Sequence, residues 1–179
     1  MSLVRSAVSD VVGVLNLHLS LTNMADHRIY LSEPGRASFE TPVTTLTEYF
    51  SNLPLGPFLL KSDTQGSEPK ILRGGWGILA QCVASSTLIL EFWPHGMENA
   101  GEDIGAFIDE LSLLPRQSFI IDNRIRKLCP IRWEALAERS RTDIAPETMG
   151  FVDLLLVPPD SRVRDTINEF IQESSVEMP

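Results

Sequence analysis

Histidine, cysteine and lysine are scarce in this chain, and each shortage closes off a class of chemistry. Of 179 residues only 3 are His and 2 are Cys. Cys82 and Cys129 are too few for a disulfide framework and read as thiols buried like small hydrophobes in a reducing compartment. The histidines, His18, His27 and His95, form no His-x-x-x-His pair, and no Cys pair stands at ligand spacing. No metal and no cofactor are therefore expected. A Gly-x-Ser-x-Gly nucleophile elbow is absent, and the adjacency of Asp26 and His27 in sequence is not the geometry of a catalytic triad. No uninterrupted run of about 18 apolar residues is present, so no membrane span is expected. Residues 1–10 lack the charged start, apolar run and small-residue cleavage site of a signal peptide. These shortages point to a cytoplasmic protein with no membrane partner.

What is present is ordinary in amount and uneven in placement. Hydrophobic residues make up 43% and charged residues 22%, figures that exclude a disordered or collagen-like chain. A chain of this length buries about 70% of its unfolded surface. The net charge of −9 argues against non-specific binding of nucleic acid by the whole surface, which needs a positive face. The basic residues are 12 Arg and 3 Lys, and Arg is the better residue for bidentate pairing and stacking at interfaces.

Hydrophobic periodicity predicts the elements. Val4, Ala7, Val8, Val11 and Val12 have helical spacing and predict a short helix over 3–12. Leu15, Leu17, Leu19 and Leu21 alternate with polar residues, predicting a half-buried strand with His18 on its polar face. Thr41-Pro42 reads as a helix start, with Pro54 as its stop. A short strand is expected at 58–60, an exposed loop at 61–70, and a hairpin of two strands at 76–84 and 86–93. The Gly74-Gly75-Trp76-Gly77 cluster lacks the spacing and the Lys-Ser/Thr of a phosphate loop, and reads as a bulge or strand entry. After a turn at 94–96, a helix is expected over 100–114, a strand over 118–121, a helix over 130–141 and a strand over 151–157. Asp160 then caps a last helix with Val163, Ile167, Phe170 and Ile171 inward, and residues 174–179 fray. The expected architecture is one α+β domain over 1–179, a mainly antiparallel sheet with helices packed on it.

Charge segregation is the strongest functional signal. Residues 98–110 carry five acids and no base, including Glu98, Glu102 and Glu110. Residues 116–141 carry seven bases against three acids, a net of +4 that leaves −13 for the rest. Such a patch captures phosphate, RNA or an acidic partner, unless the acidic helix packs beside it and neutralises it. Trp and Arg are both enriched at interface hot spots. Arg124, Arg126, Lys127, Arg132 and Trp133 are therefore the expected partner contacts.

The expected function is a non-catalytic binding or assembly protein of the chaperone, adaptor, immunity or structural-subunit kind, with a protein partner or a second copy. Two alternatives stand beside it. One is a small enzyme or ligand-binding domain with a pocket near His95 and Glu98. The other is an RNA-associated protein using residues 116–141. The loops at 23–40 and 61–70 are further contact candidates, since function gathers on loops.

Overall fold

The computed structural model describes residues 3–30, 34–159 and 162–172. Its elements are arranged as two mixed sheets and a set of short helices, an α+β architecture. The smaller sheet holds β1 (Ala7–Val8), β2 (Gly13–His18) and β3 (Ser38–Thr44), in the order β1-β3-β2. The larger sheet holds β4 (Phe58–Ser62), β5 (Ser86–Phe92), β6 (Gln117–Asp122), β7 (Lys127–Pro130) and β8 (Val152–Val157), in the order β4-β5-β8-β6-β7. The helices are α1 (Leu46–Phe50), α2 (Glu68–Gln81), α3 (Pro94–Asn99), α4 (Ile104–Ser112), α5 (Trp133–Arg139) and α6 (Arg162–Ile167).

Three of the four pairings in the larger sheet are antiparallel, while β4 and β5 run parallel. A parallel pair needs a crossover, and α2 supplies it. The predicted hairpin at 76–93 is thus corrected: its first arm is the C-terminal half of α2. The helical pattern is visible once the window opens earlier. Ile71, Leu72, Gly75, Ile78 and Leu79 are buried at helical spacing, whereas a window starting at Trp76 shows only an apolar run. The start signal is also there, with Ser67 at the N-cap and Pro69 in the first turn.

One face of the larger sheet carries the main core. Leu88, Leu90 and Phe92 of β5 and Leu154 and Leu156 of β8 pack against Leu72 and Leu79 of α2, Met97 of α3, Phe107, Ile108 and Leu111 of α4, and Leu136 of α5. The opposite face carries a smaller cluster of Phe119, Leu128, Leu155 and Val157, with Ile167 and Ile171 against it. Of the predicted inward set on the last helix, Val163 and Phe170 are instead exposed. Asp160 and residues 174–179 lie outside the described residues. The predicted helix over 100–114 is α4, with Asp103 capping it by accepting from the Ala106 N–H at 2.8 Å.

The small sheet departs most from the sequence reading. No helix forms over the described residues of 3–12. The segment is instead β1, a bend, and the start of β2 at Gly13, whose φ of 152° suits glycine. Its valines are β-branched and favour extended backbone. The predicted helix start at Thr41-Pro42 lies inside β3, and α1 begins four residues later with Thr45 as its cap. Pro42 is tolerated in the central strand because it faces Val14 in a pair that exchanges no backbone hydrogen bonds with β2, and on its other side β1 begins to pair only at Val43. The bonded rungs with β2 fall on either side of Pro42.

The Gly74-Gly75 pair explains how the small sheet reaches the large one. A Cβ at Gly74 would sit 2.1 Å from the Ser9 carbonyl oxygen, and one at Gly75 would meet the Leu46 side chain at 2.7 Å. Thr47 Oγ1 donates to the Gly74 carbonyl at 2.7 Å. The glycines are an approach surface on a helix, not a bulge.

Candidate functional site: an open strand edge and a seam cavity

The basic residues of 116–141 are held by different parts of the fold, though Arg124 and Arg139 line one cavity together. Arg124, Arg126 and Lys127 sit at the β6–β7 turn. There Asp122 Oδ1 accepts the N–H groups of Arg124 (2.8 Å) and Ile125 (3.2 Å), and Arg126 takes a left-handed φ of 57°. Lys127 Nζ donates to the Glu169 carbonyl at 3.1 Å. Arg132 occupies the N-cap position of α5, beyond the other end of β7, and makes no side-chain capping bond. Five residues lie between it and Arg126, a span of up to about 20 Å when extended. Trp133 is half-buried against the main core. Arg116 is buried, donating to the carbonyl and hydroxyl of Ser86. Arg139 is paired with Asp143 at 2.6 Å, which holds that carboxyl below its usual range.

Two of the five acids of residues 98–110, Glu102 and Glu110, are paired from α2 instead. Arg73 pairs with Glu102 at 2.6 Å and with Glu110 at 2.9 Å, and Lys70 lies 3.7 Å from Glu102. Burial pulls the Arg73 guanidinium down, but these carboxylates outweigh it and raise it further.

His95 and Glu98 do not converge on one pocket. His95 Nδ1 lies 3.0 Å from the Pro146 carbonyl, and its ring packs on Trp93 at 5.4 Å. Glu98 is exposed on the rim of a cavity of about 370 Å³ with Arg141 and Glu147, which His95 does not line. His18 is half-buried, and its Nδ1 has no partner among the described residues.

The loop after β2 is anchored rather than solvated in its described part. Asp26 pairs with Arg28 at 2.5 Å and Arg36 at 2.7 Å. Burial pushes the Asp26 carboxyl up, but the two arginines hold it below the usual carboxylate range. Arg28 lies over the Trp93 ring at 5.2 Å, and the Tyr30 hydroxyl donates to the Gln65 carbonyl. Burial carries the Tyr30 phenol up to about 12. The 61–70 stretch is likewise not an exposed loop. Ser62, Gly66, Ser67 and Glu68 are buried, and Gly66 (φ 104°) packs so close that a Cβ would meet Gly96 at 2.2 Å.

Two features have no counterpart in the sequence reading. The first is the outer edge of β2. His18 exchanges backbone hydrogen bonds with Arg28 on the side away from β3, at 2.7 and 3.1 Å. By the alternation of an antiparallel ladder, Asn16 and Val14 direct their N–H and C=O groups to that same side. Nothing among the described residues pairs with them there. Natural sheets guard such edges with Lys, Pro, a short strand or a covering segment. The edge strand β4 carries Lys61, and β7 carries Lys127 and Pro130 and is covered by the Gln172 N–H donating to Leu128. Strand β2, Gly-Val-Leu-Asn-Leu-His, has none of these guards along Gly13–Leu17. Val12 and Val14 stand 64% and 60% exposed at that edge.

The second is a cavity of about 340 Å³ at the seam between the two sheets, walled by Ala7, Val8, Leu17, Leu46, Leu60 and Ile71. Ser62, Ser67 and His27 also line it. Beside it runs a row of carboxylates. Glu91 and Asp153 are register partners, and Asp63 follows directly on β4. Burial and the charges of Asp63, Glu68 and Asp153 push Glu91 up to about 7. Among the described residues no group of three His, Cys, Asp or Glu side chains is placed to hold a metal ion, and no helix is long and apolar enough to cross a membrane. The cue to the edge lay in what β2 lacks, and the cue to the seam in two glycines within a helical pattern. No protein-family model matches this chain, and no curated protein and no solved structure matches it.

Proposed function

We propose that the protein is a non-catalytic binding and assembly domain that adds a partner's extended strand along the open edge of β2, the partner being β2 of a second copy. The observation that carries this reading is that no described residue pairs with the outward backbone of Val14 and Asn16, beside exposed valines. An antiparallel edge is self-complementary: about a two-fold axis, the outward N–H and C=O groups of one strand meet those of its copy. Two-fold dimers are the commonest oligomers, and strand addition draws affinity from main-chain hydrogen bonds. β2 carries no acid, Lys or Arg to oppose its own copy. The non-catalytic part of the reading rests on the histidines. Among the described residues none is hydrogen-bonded to a carboxylate, a hydroxyl or a thiol.

Light scattering over a concentration series tests the proposal. The expected result is a monomer that converts to a dimer as concentration rises, with little dependence on salt. Val14→Pro removes an outward N–H that bonds nothing among the described residues, so the fold should survive while the dimer is lost. A dimer untouched by V14P but abolished by Arg124→Ala with Arg126→Ala and by salt transfers the function to the charged turn. A monomer at every concentration removes the self-assembly reading.

A further inference from the structure

We infer that the seam cavity is a binding site for a small neutral molecule with a mainly hydrocarbon body and one hydroxyl or carbonyl group. The inference stands independently of the β2 edge.

Two unsatisfied hydroxyls carry it. Ser62 and Ser67 are 4% and 3% exposed, both line the cavity, and neither Oγ has a hydrogen-bond partner among the described residues. A buried hydroxyl without a partner is costly, and native structures leave few of them unexplained. Ser67 is the more telling of the two. It stands at the N-cap of α2, where a serine ordinarily bonds the N–H of the second or third helical residue. Here the second is Pro69, which has no N–H, and Ser67 makes no capping bond at all. Its hydroxyl is free for something else, and the cavity is what it lines.

The charge of the ligand follows from Glu68. Its fully buried carboxylate accepts the Thr64 N–H at 2.5 Å, the Thr64 hydroxyl at 2.7 Å and the Gly66 N–H at 2.9 Å. These are the donors that a strand–loop–helix corner would otherwise offer to a phosphate or carboxylate. The chain has placed its own carboxyl group there, which burial raises above its usual range, so an incoming anion finds the donors already taken. The nearest rim charges, Lys61 and Asp63, pair with each other at 2.9 Å. What remains is a neutral site. His27 adds a donor: its Nδ1 accepts the Ser20 N–H at 3.2 Å, so the neutral ring carries its proton on Nε2. Half of the lining residues are aliphatic, and the volume is at the lower end of the range for small-ligand sites, about 300–1,000 Å³.

Cyclohexanol, cyclohexanone, methylcyclohexane and cyclohexanecarboxylate are matched probes, read by protein NMR titration of the full chain. Saturable shifts from the alcohol and ketone are expected at the amides of Ser62, Ser67 and Ile71. The carboxylate should bind at least tenfold more weakly. Ser67→Ala, and separately Ser62→Ala, should weaken the alcohol by about three- to tenfold, the worth of one hydrogen bond. The same substitutions should leave methylcyclohexane binding unchanged and should not lower the melting temperature, because the deleted hydroxyls have no partner among the described residues. Equal binding of carboxylate and alcohol overturns the neutral assignment. Loss of no affinity in either serine variant, or no saturable shift from any probe, overturns the site itself.

Discussion

Leu88, Leu90, Phe92, Leu154 and Leu156 of the larger sheet are each at most 1% exposed, whereas in the three strands of the small sheet only Val43 is buried. The larger sheet is roofed by α2 through α5 on one face and touched by α6 on the other, and its edge strands carry Lys or are covered. The chain after β1 meets α2 where Ser9 abuts Gly74, α1 meets it at Gly75, and no described residue pairs with the outer edge of β2 at Val14 and Asn16. Burial of apolar area is the main source of stability. The larger sheet has the burial that makes a rigid body, and the small sheet keeps back surface for something outside the chain. Regions with few buried apolar contacts are also the ones that open locally.

The contrast can be broken most decisively by core truncation. Phe92→Ala should cost about 3–5 kcal/mol in chemical denaturation, whereas Val14→Ala on the small sheet should stay within about 0.5 kcal/mol. Comparable losses at the two sites would mean that the small sheet is as integral to stability as the large one.

Gly74→Ala sharpens the comparison at the joint. In an exposed helix interior this change gains about 1 kcal/mol. Here the new methyl would press on the Ser9 carbonyl, 2.1 Å away. The sign should reverse to a loss of about 1–3 kcal/mol. Hydrogen exchange should quicken at β1 and β3 while β5 and β8 stay protected. A gain in stability would remove the account of how the sheets are joined.

A third test uses pH. The Glu91 carboxyl moves from 4.5 to about 7 on folding, chiefly through burial and then through neighbouring acids. Between these values the folded state holds a proton that the unfolded chain has released, so stability should fall as pH rises through that window and level off above it. Glu91→Gln should flatten this slope and leave the protein more stable than wild type at pH 8. An unchanged slope in E91Q would place the pH dependence elsewhere, Glu68 and Asp153 being the other carboxyls raised by burial. The smallest effect belongs to the surface. Arg139→Ala breaks an exposed (i, i+4) pair and should cost about 0.3–0.5 kcal/mol in a thermal melt.

The larger sheet was the more legible half in sequence. The strands at 86–93, 118–121 and 151–157 and the helix over 100–114 appear near their expected places, because buried elements impose a clean period on their residues. The small sheet was not. Valines at helical spacing in 3–12 mimic a helix stripe, and Thr41-Pro42 mimics a helix start. Only the non-bonded register opposite Val14 makes that proline a strand residue. For α2, the stretch of residues read as a loop hid the helix start, and Glu68 is a charged residue wholly buried by its own loop. The charge polarity was arithmetically real. Its consequence depended on distance: Arg116 went inside, Arg139 found Asp143, and Arg132 stands a strand's length from Arg126. Neither the edge nor the cavity has a motif, since both arise where segments far apart in sequence meet.

Hydrogen exchange at the Val14 and Asn16 amides, followed from dilute to concentrated solution, tests the central claim most directly. Exchange at these two amides should be fast in dilute protein and slow markedly as concentration rises, with β5 and β8 protected throughout. Fast exchange at every concentration, or protection already complete in the dilute monomer, would contradict an open β2 edge that receives a partner strand.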